Sequence, residues 1–243
     1  MPETLFDDWI AERYQILWPE LYEPDLLDAA VDFLADIAGP GPVLEFGIGT
    51  GRLALPLSRR GIRVAGIELS RAMATQLQLQ EGASDIDVIV GDFATAQVGE
   101  TFTLVYLVRN TITNLTTQEE QVECFRNAAL HLKPGGLFVI ENYIPELRRL
   151  PPGEKMQVFK ATPTHIGVEE YDVVNQVGIS HHWWIIEDHL KTLSSSHRYV
   201  WPSELDLMAR LAGMTLRERW SDWRRGPLTS ESRSHISVWE MPA

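Results

Sequence analysis

The sequence predicts an α/β fold: a seven-stranded, mostly parallel sheet with an antiparallel edge strand, N-terminal helices and an inserted antiparallel β region. Three observations predict it. Between residues 43 and 140 short apolar segments alternate with helical patterns, the signature of a parallel sheet covered on both faces. From about Met156 to Val200 the helical period gives way to a stretch rich in Val, Ile, Thr, Trp and Tyr, which reads as antiparallel strands. A helix and two strands then end the chain and complete the sheet.

The elements follow in order. One helical pattern covers roughly Phe6 to Trp18 and stops at Pro19. A second starts near Pro24-Asp25, carries Leu26, Leu27, Ala30, Val31, Leu34 and Ile37 at helical spacing, and ends at Gly39-Pro40-Gly41. Val43 to Phe46 is a short strand, Arg52 to Arg60 a helix closed by Gly61, and Ile62 to Ile67 the next strand. Ser70 is placed to cap a helix running to about Glu81. Ile86 to Val90 and Phe102 to Val108 are the third and fourth strands. Thr116 or Thr117 caps a helix with Glu119 and Glu120 in its first turn, and Lys133-Pro134-Gly135-Gly136 breaks it before a fifth strand at Leu137 to Ile140. Pro202 to Leu211 is a helix with Gly213 past its end, and the last strands are Thr215 to Trp220 and His235 to Glu240.

Composition narrows the function. A net charge of −13, from 21 Lys+Arg against 34 Asp+Glu, repels phosphate backbones, and Arg148-Arg149 and Arg224-Arg225 are too short to form a basic stripe. Nucleic-acid partners are therefore disfavoured. No run approaches the ~18 apolar residues of a membrane helix, and the start, Met1-Pro2-Glu3-Thr4, lacks a signal-peptide pattern. With Cys124 as the one cysteine, no intrachain disulfide is possible, and a cytoplasmic location is expected, as a monomer or homodimer. Cys124 falls in a helical run and reads as packing. No metal is expected, because the chain has neither H-E-x-x-H nor a cysteine cluster.

The candidate cofactor loop is Glu45-Phe46-Gly47-Ile48-Gly49-Thr50-Gly51, between a strand and a helix. Such a turn lets a ligand approach the backbone and the free N–H groups of the helix start. Its G-x-G-x-G spacing differs from the dinucleotide fingerprint G-x-G-x-x-G, and no nucleoside-triphosphate loop is present. Glu45, at the mouth of the site, would repel a pyrophosphate but suits a ligand carrying an ammonium and a sulfonium. Glu68 closes the second strand, where an acid can accept both ribose hydroxyls. Asp92 after the third strand offers an acceptor for an adenine amino group, with the Phe93 ring beside it. Val108-Arg109-Asn110 follow the fourth strand.

Leu44 to Gly51, Glu68-Leu69-Ser70, Gly91-Asp92-Phe93 and Leu132 to Gly136 together resemble the ordered motifs of class I methyltransferases that use S-adenosylmethionine (SAM). The resemblance covers residues 40 to 143 and implies a Rossmann-like fold. It implies Glu45, Gly47 and Gly49 by the methionine moiety, with Ile48 and Gly51 in the same loop and Val108, Arg109 and Asn110 beneath. It further implies Glu68 on the ribose, Leu69, Asp92 and Phe93 around the adenine with Ser70 adjacent, and Tyr14 and Tyr22 on a covering helix. The rest of the chain is similar, more weakly, to the branch that includes bacterial amino-sugar N-methyltransferases. That branch has a His in the loop after the fourth strand, where this chain has Asn114.

The expected division is an N-terminal helical cap at 1–40, a SAM-binding domain at 41–144 and 201–243, and an inserted β region for the substrate at 145–200. On a strand, His181 and Trp183 face one side and His182 and Trp184 the other. One pair lines the acceptor cavity, and the sequence leaves open which. Tyr143, Trp183 and Trp184 are candidates for substrate contact, and Asn114, His181 and His182 for catalysis. The expected activity is methyl transfer to an O, N or C nucleophile of a small molecule, with secondary metabolism as a possible setting. Its rivals are a SAM-binding scaffold and an NAD-dependent oxidoreductase.

Overall fold

Two helices open the chain, as the periodicity predicts. In the computed structural model, which describes residues 6–243, α1 spans Asp8–Leu17 and α2 spans Pro24–Ala38, joined by a 3-10 turn at Pro19–Tyr22. The acidic start, Met1 to Thr4, lies outside the described residues. Asp7 caps α1 by accepting from the Ile10 N–H at 3.0 Å, and Pro24 opens α2 at a position where its missing N–H costs nothing.

The alternating half follows as β1 (Val43–Phe46), α3 (Ala54–Arg59), β2 (Val64–Glu68), α4 (Arg71–Gln78), β3 (Asp87–Val90), β4 (Phe102–Leu107), α5 (Gln118–His131) and β5 (Leu132–Tyr143). Ser70 caps α4 and Thr117 caps α5, the latter in a reciprocal box with Glu120. The sequence predicts a break at Lys133–Gly136, yet strand pairing already starts at Leu132 opposite Phe102. The ladder shifts register just after this point, and Gly135, at φ +72°, carries the chain through the irregularity.

Four strands come next: β6 (Met156–Ala161), β7 (His165–Asp172), β8 (Val177–Ile186) and β9 (His189–Arg198). They form their own antiparallel sheet in chain order. The chain returns through α6 (Pro202–Leu211), β10 (Thr215–Trp220) and β11 (Ser234–Glu240). The main sheet has seven strands ordered β10-β11-β5-β4-β1-β2-β3. β11 runs antiparallel to both β5 and β10, so the reversed strand stands one place in from the edge.

Side chains of β1 and β4 alternate between two cores, one on each face of the sheet. Val43, Leu104 and Tyr106 pack with α2 and α3, while Leu44, Phe46, Val105 and Leu107 pack with α5 and α6. This double burial makes both strands apolar throughout, and it leaves Glu45 facing the α2–α3 side as a buried carboxylate.

The inserted sheet is tied down at two places. Trp184 is buried with Ile10 and Leu17 of α1. At the end of β9, the buried Arg198 guanidinium donates to Gln121 Oε1 at 2.6 Å, to Glu204 Oε1 at 2.7 Å and to Gln176 Oε1 at 3.0 Å. A buried guanidinium stands only when its donors are met in this way. Among the described residues no helix is long and apolar enough to cross a membrane, and no His, Cys, Asp and Glu cluster is arranged to hold a metal ion.

Candidate functional site

The glycine loop between β1 and α3 is built by backbone conformation. Gly47, Gly49 and Gly51 adopt φ values of +68°, +57° and +81°, a region that disfavours any residue with a Cβ. The Gly47 and Ile48 N–H groups both donate to Ile67 O, at 2.8 and 3.1 Å, which fixes the loop over the end of β2. From there Glu68 reaches back. Its Oε2 accepts from Gly49 N and its Oε1 from Ser70 N, each at 2.8 Å. Burial pushes the Glu68 carboxyl above the usual carboxylate range, against the pull of these amides.

Glu45 is deeper than the sequence suggests. Rather than standing at the mouth, it is 3% exposed and accepts from the Tyr106 hydroxyl at 2.9 Å. The physical reason is register: Glu45 pairs with Tyr106 across β1 and β4, and both side chains point beneath the loop. Burial pushes the Glu45 carboxyl up to about 8, although the Tyr106 hydrogen bond and Arg52 act the other way.

These residues surround a cavity. Glu45, Gly47, Ile48, Gly49, Glu68, Leu69, Phe93, Val108, Arg109 and Tyr14 line it, all of them expected from the sequence. Other expected residues stand behind this wall. Gly51 faces α4, where a Cβ would lie 2.3 Å from Leu77 Cδ1. Ser70 caps α4 and donates to Phe6 O at 2.6 Å. Tyr22 reaches the cavity through Thr50, with the two hydroxyl oxygens 3.2 Å apart. Asp92 Oδ1 accepts from Ala94 N at 2.8 Å and so shapes the turn that carries Phe93. Asn110 accepts from Tyr143 N at 2.7 Å and faces a second cavity.

The donor and acceptor set fits SAM. Two buried acidic side chains beside a glycine backbone, able to ionise against a cation, suit a cationic ligand with ribose hydroxyls better than a pyrophosphate. Leu69, Met73, Phe93 and Ile48 give apolar walls for a flat ring. A Cβ on Gly47 would sit 2.9 Å from Thr111 Cγ2, so the backbone itself makes room there.

The second, larger cavity lies between α1, the loop after β4 and the inserted sheet. Phe6, Tyr14, Arg109, Thr111 and Asn114 line both cavities and form the junction. The open question about β8 is answered by burial and contact. His182 lines the cavity, and Trp184 lies on the same face of β8, packed against α1. His181 sits on the opposite face beside Ser194, with Trp183 stacked on its ring. His182 Nδ1 and His165 Nε2 are 2.9 Å apart, one donating to the other. Burial lowers His182 to about 4, so it stays neutral near pH 7. Asn114 and Tyr143 both line this cavity. Neither Asn110 nor Asn114 caps α5, since Thr117 does so.

Sequence reasoning missed Arg52, Thr111, Met73 and Tyr106 near the cofactor, and His165, Glu169, Ser180 and His197 in the second cavity. Arg52, Met73 and Thr111 stand on the turn, helix and loop beside motifs that the sequence did reveal, whereas Tyr106, His165, Glu169, Ser180 and His197 are brought in by pairing across strands, for which local patterns carry no signal.

Residues 43–136 match the model of a family described as "Methyltransferase domain". The chain is similar to the CcbJ methyltransferase from Streptomyces caelestis, whose structure aligns over 100% of both chains at 34% identity with a TM-score of 0.88. It is 26% identical to the cypemycin N-terminal methyltransferase of a Streptomyces species, over 98% of each chain. The SAM-bound structure of CalS10, an amino pentose methyltransferase from Micromonospora echinaspora, shares the fold at a TM-score of 0.68, with 20% identity over 90% of this chain and 91% of that one.

Proposed function

Since the chain belongs to the class I SAM-dependent methyltransferases, with SAM as its cofactor, we propose that it transfers a methyl group to an amine nitrogen of a small molecule. One observation carries this reading: the cofactor cavity opens into the larger second cavity through a junction of Phe6, Tyr14, Arg109, Thr111 and Asn114.

When bound, SAM supplies an electrophilic methyl group on a sulfonium. The chain's own residues hold, align and exclude water. In this reading Glu45 takes the cofactor's ammonium and Glu68 its ribose hydroxyls, with Leu69 and Phe93 against the adenine and Asp92 beside it. Gly47, Ile48 and Gly49 give the methionine portion a backbone seat, while Tyr14 roofs it. Residues 1–40 act as a cap, 41–144 with 201–243 as the cofactor domain, and 145–200 as the acceptor wall. In-line displacement needs the nucleophile held about 3 Å from the methyl in a dry site.

The junction has no carboxylate or imidazole. A hydroxyl acceptor would lack a base there, whereas an amine needs only to arrive deprotonated. The Arg109 guanidinium favours that form, because a nearby positive charge disfavours an ammonium. His182, neutral and tied to His165, orients the acceptor by hydrogen bonding rather than taking its proton. The names of the cypemycin and amino pentose enzymes support nitrogen as the nucleophile. The single cysteine, Cys124, buried and unpaired, supports a reducing compartment such as the cytoplasm.

The test is labelled-methyl transfer from SAM across matched panels of small amines, alcohols and phenols. Amines alone should become labelled. Label on alcohols or phenols with none on amines would replace nitrogen by oxygen.

A further inference from the structure

The second cavity has a polar end remote from the junction. Glu169 of β7 is 8% exposed and carries a buried carboxylate on the cavity face of the inserted sheet. Its Oε2 accepts from Ser180 Oγ at 2.6 Å. Its Oε1 lies 3.0 Å from His197 Nε2 of β9, but without the alignment of a hydrogen bond. β8 gives up a side chain to allow this meeting. A Cβ on Gly178 would stand 2.4 Å from both Glu169 Oε1 and His197 Nε2.

Beside this pair stands Tyr143, whose ring centroid is 6.3 Å from that of His197. The Tyr143 hydroxyl is buried and, like Glu169 Oε1, has no hydrogen-bond partner among the described residues. A buried polar atom without an aligned hydrogen bond is costly, since it forfeits hydration without a full replacement. The cost is recovered if a ligand supplies the missing partners.

The charges around the cavity decide what kind of ligand. Arg109, Arg149, Lys160 and Arg233 line it together with Glu20, Glu146 and Glu169. Glu146 Oε2 lies 3.2 Å from Arg149, and its Oε1 lies 3.3 Å from Arg233, so its charge is offset by two guanidinium groups although Oε1 has no aligned hydrogen bond. The cavity as a whole therefore holds no negative field to draw in a cation. The orphaned pair offers one acceptor-only oxygen and one hydroxyl that both donates and accepts. A hydroxyl, which can donate to the first and accept from the second, is its complement.

Resting on the amine reading above, we infer that Glu169 and Tyr143, with His197 held against them, form a subsite for a hydroxyl group of the acceptor, away from the nitrogen that is methylated. Both atoms are closed to solvent, so the hydroxyl reaches them only with a movement of the side chains that cover them. Burial and the Glu169 charge hold the Tyr143 phenol well above its ordinary range, so it remains a donor throughout the working pH. Glu169 and Tyr143 act as specificity residues here and take no part in the transfer itself.

The test is titration calorimetry on the full chain saturated with S-adenosylhomocysteine. The probes are cyclohexylamine, trans-2-, trans-3- and trans-4-aminocyclohexanol, and trans-1,4-diaminocyclohexane. At least one aminocyclohexanol should bind about tenfold or more tightly than cyclohexylamine, the gain expected from a hydrogen bond to a charged group. Tyr143→Phe and Glu169→Ala should each remove most of that preference, and Glu169→Gln, which keeps an acceptor oxygen, should retain part of it. Tyr143→Phe should leave the melting temperature unchanged or raised, because it deletes an unsatisfied hydroxyl. Equal binding of the aminocyclohexanols and cyclohexylamine, or absence of binding by all the probes, overturns the subsite. So does a preference for the diamine that Glu169→Gln abolishes, which would mark a cation site instead. Labelled-methyl transfer from SAM to the same probes, in parallel samples without S-adenosylhomocysteine, separates the two readings. A hydroxyl preference without transfer counts against the amine reading alone, and transfer without a preference counts against the subsite alone.

Discussion

Tyr106 donates its phenolic hydrogen to Glu45 Oε2 at 2.9 Å across the β1–β4 ladder, in a place where both side chains are buried. That one hydrogen bond is the only direct side-chain support that the Glu45 carboxyl has among the described residues. With Glu45 raised to about 8, most of it is protonated at pH 7 before a cation arrives. Binding of the SAM ammonium should therefore expel close to one proton per site at pH 7. Calorimetry in buffers of different ionisation enthalpy measures this directly, and Glu45→Gln should abolish it. Tyr106→Phe should weaken SAM binding by about 1.5–3 kcal/mol, the worth of a hydrogen bond to a charged group.

Glu68 has two duties, since the carboxylate proposed to meet the ribose also holds the Gly49 and Ser70 amides at 2.8 Å. Glu68→Ala should cost roughly 1–3 kcal/mol of SAM binding. Because the glycine loop loses a tether as well, the melting temperature of the ligand-free protein should also fall. Unchanged affinity with a lowered melting temperature would leave Glu68 as a structural residue only.

Two buried histidines should make acid destabilise the fold, against the opposite effect of Glu45, which is held at about 8 and takes up its proton in the folded state first. Burial holds His235 at about 3 and His182 at about 4, both below the ordinary 6.5 of an unfolded chain. Below pH 6.5 the unfolded state binds protons that the folded state refuses, so stability falls as pH drops from there towards those values. Each histidine should contribute a slope approaching about 1.4 kcal/mol per pH unit. Urea unfolding between pH 7 and pH 4 reads the slope, and His235→Gln should flatten it by its share.

Gly51 and Gly61 form a matched pair for separating space from backbone strain. Their φ values are +81° and +80°, but a Cβ on Gly51 meets Leu77 Cδ1 at 2.3 Å whereas one on Gly61 meets nothing within 4 Å. Gly61→Ala should cost about 1–2 kcal/mol for the left-handed backbone alone. Gly51→Ala should cost a further ~1–3 kcal/mol from overpacking against α4. Thermal unfolding of the two variants checks the order.

What the sequence disclosed, and what it hid, divides by distance along the chain. Ser70 and Thr117 were readable as caps because a cap bonds only three residues ahead. The glycine loop and Glu68 were readable for a related reason, each ending a short strand in an alternating pattern. The depth of Glu45 was not, because Tyr106 stands 61 residues away and meets it only through strand register. The choice between His181 and His182 was hidden in the same way: an alternating strand has two faces, and only the docking of α1 on Trp184 says which is inside. Glu169, Gly178 and His197 come from three successive strands, and no spacing rule joins them.

Helix α1 and the turn before it give Tyr14 and Phe6 to both cavities at once, and Ser70 anchors the Phe6 carbonyl at 2.6 Å. One partition thus serves two ligands. A ligand on one side that favours one position of this helix changes affinity on the other, and by thermodynamic linkage the effect is equal in both directions. The same coupling runs in reverse after transfer. Release of the spent cofactor then alters the hold on the methylated product by that same factor.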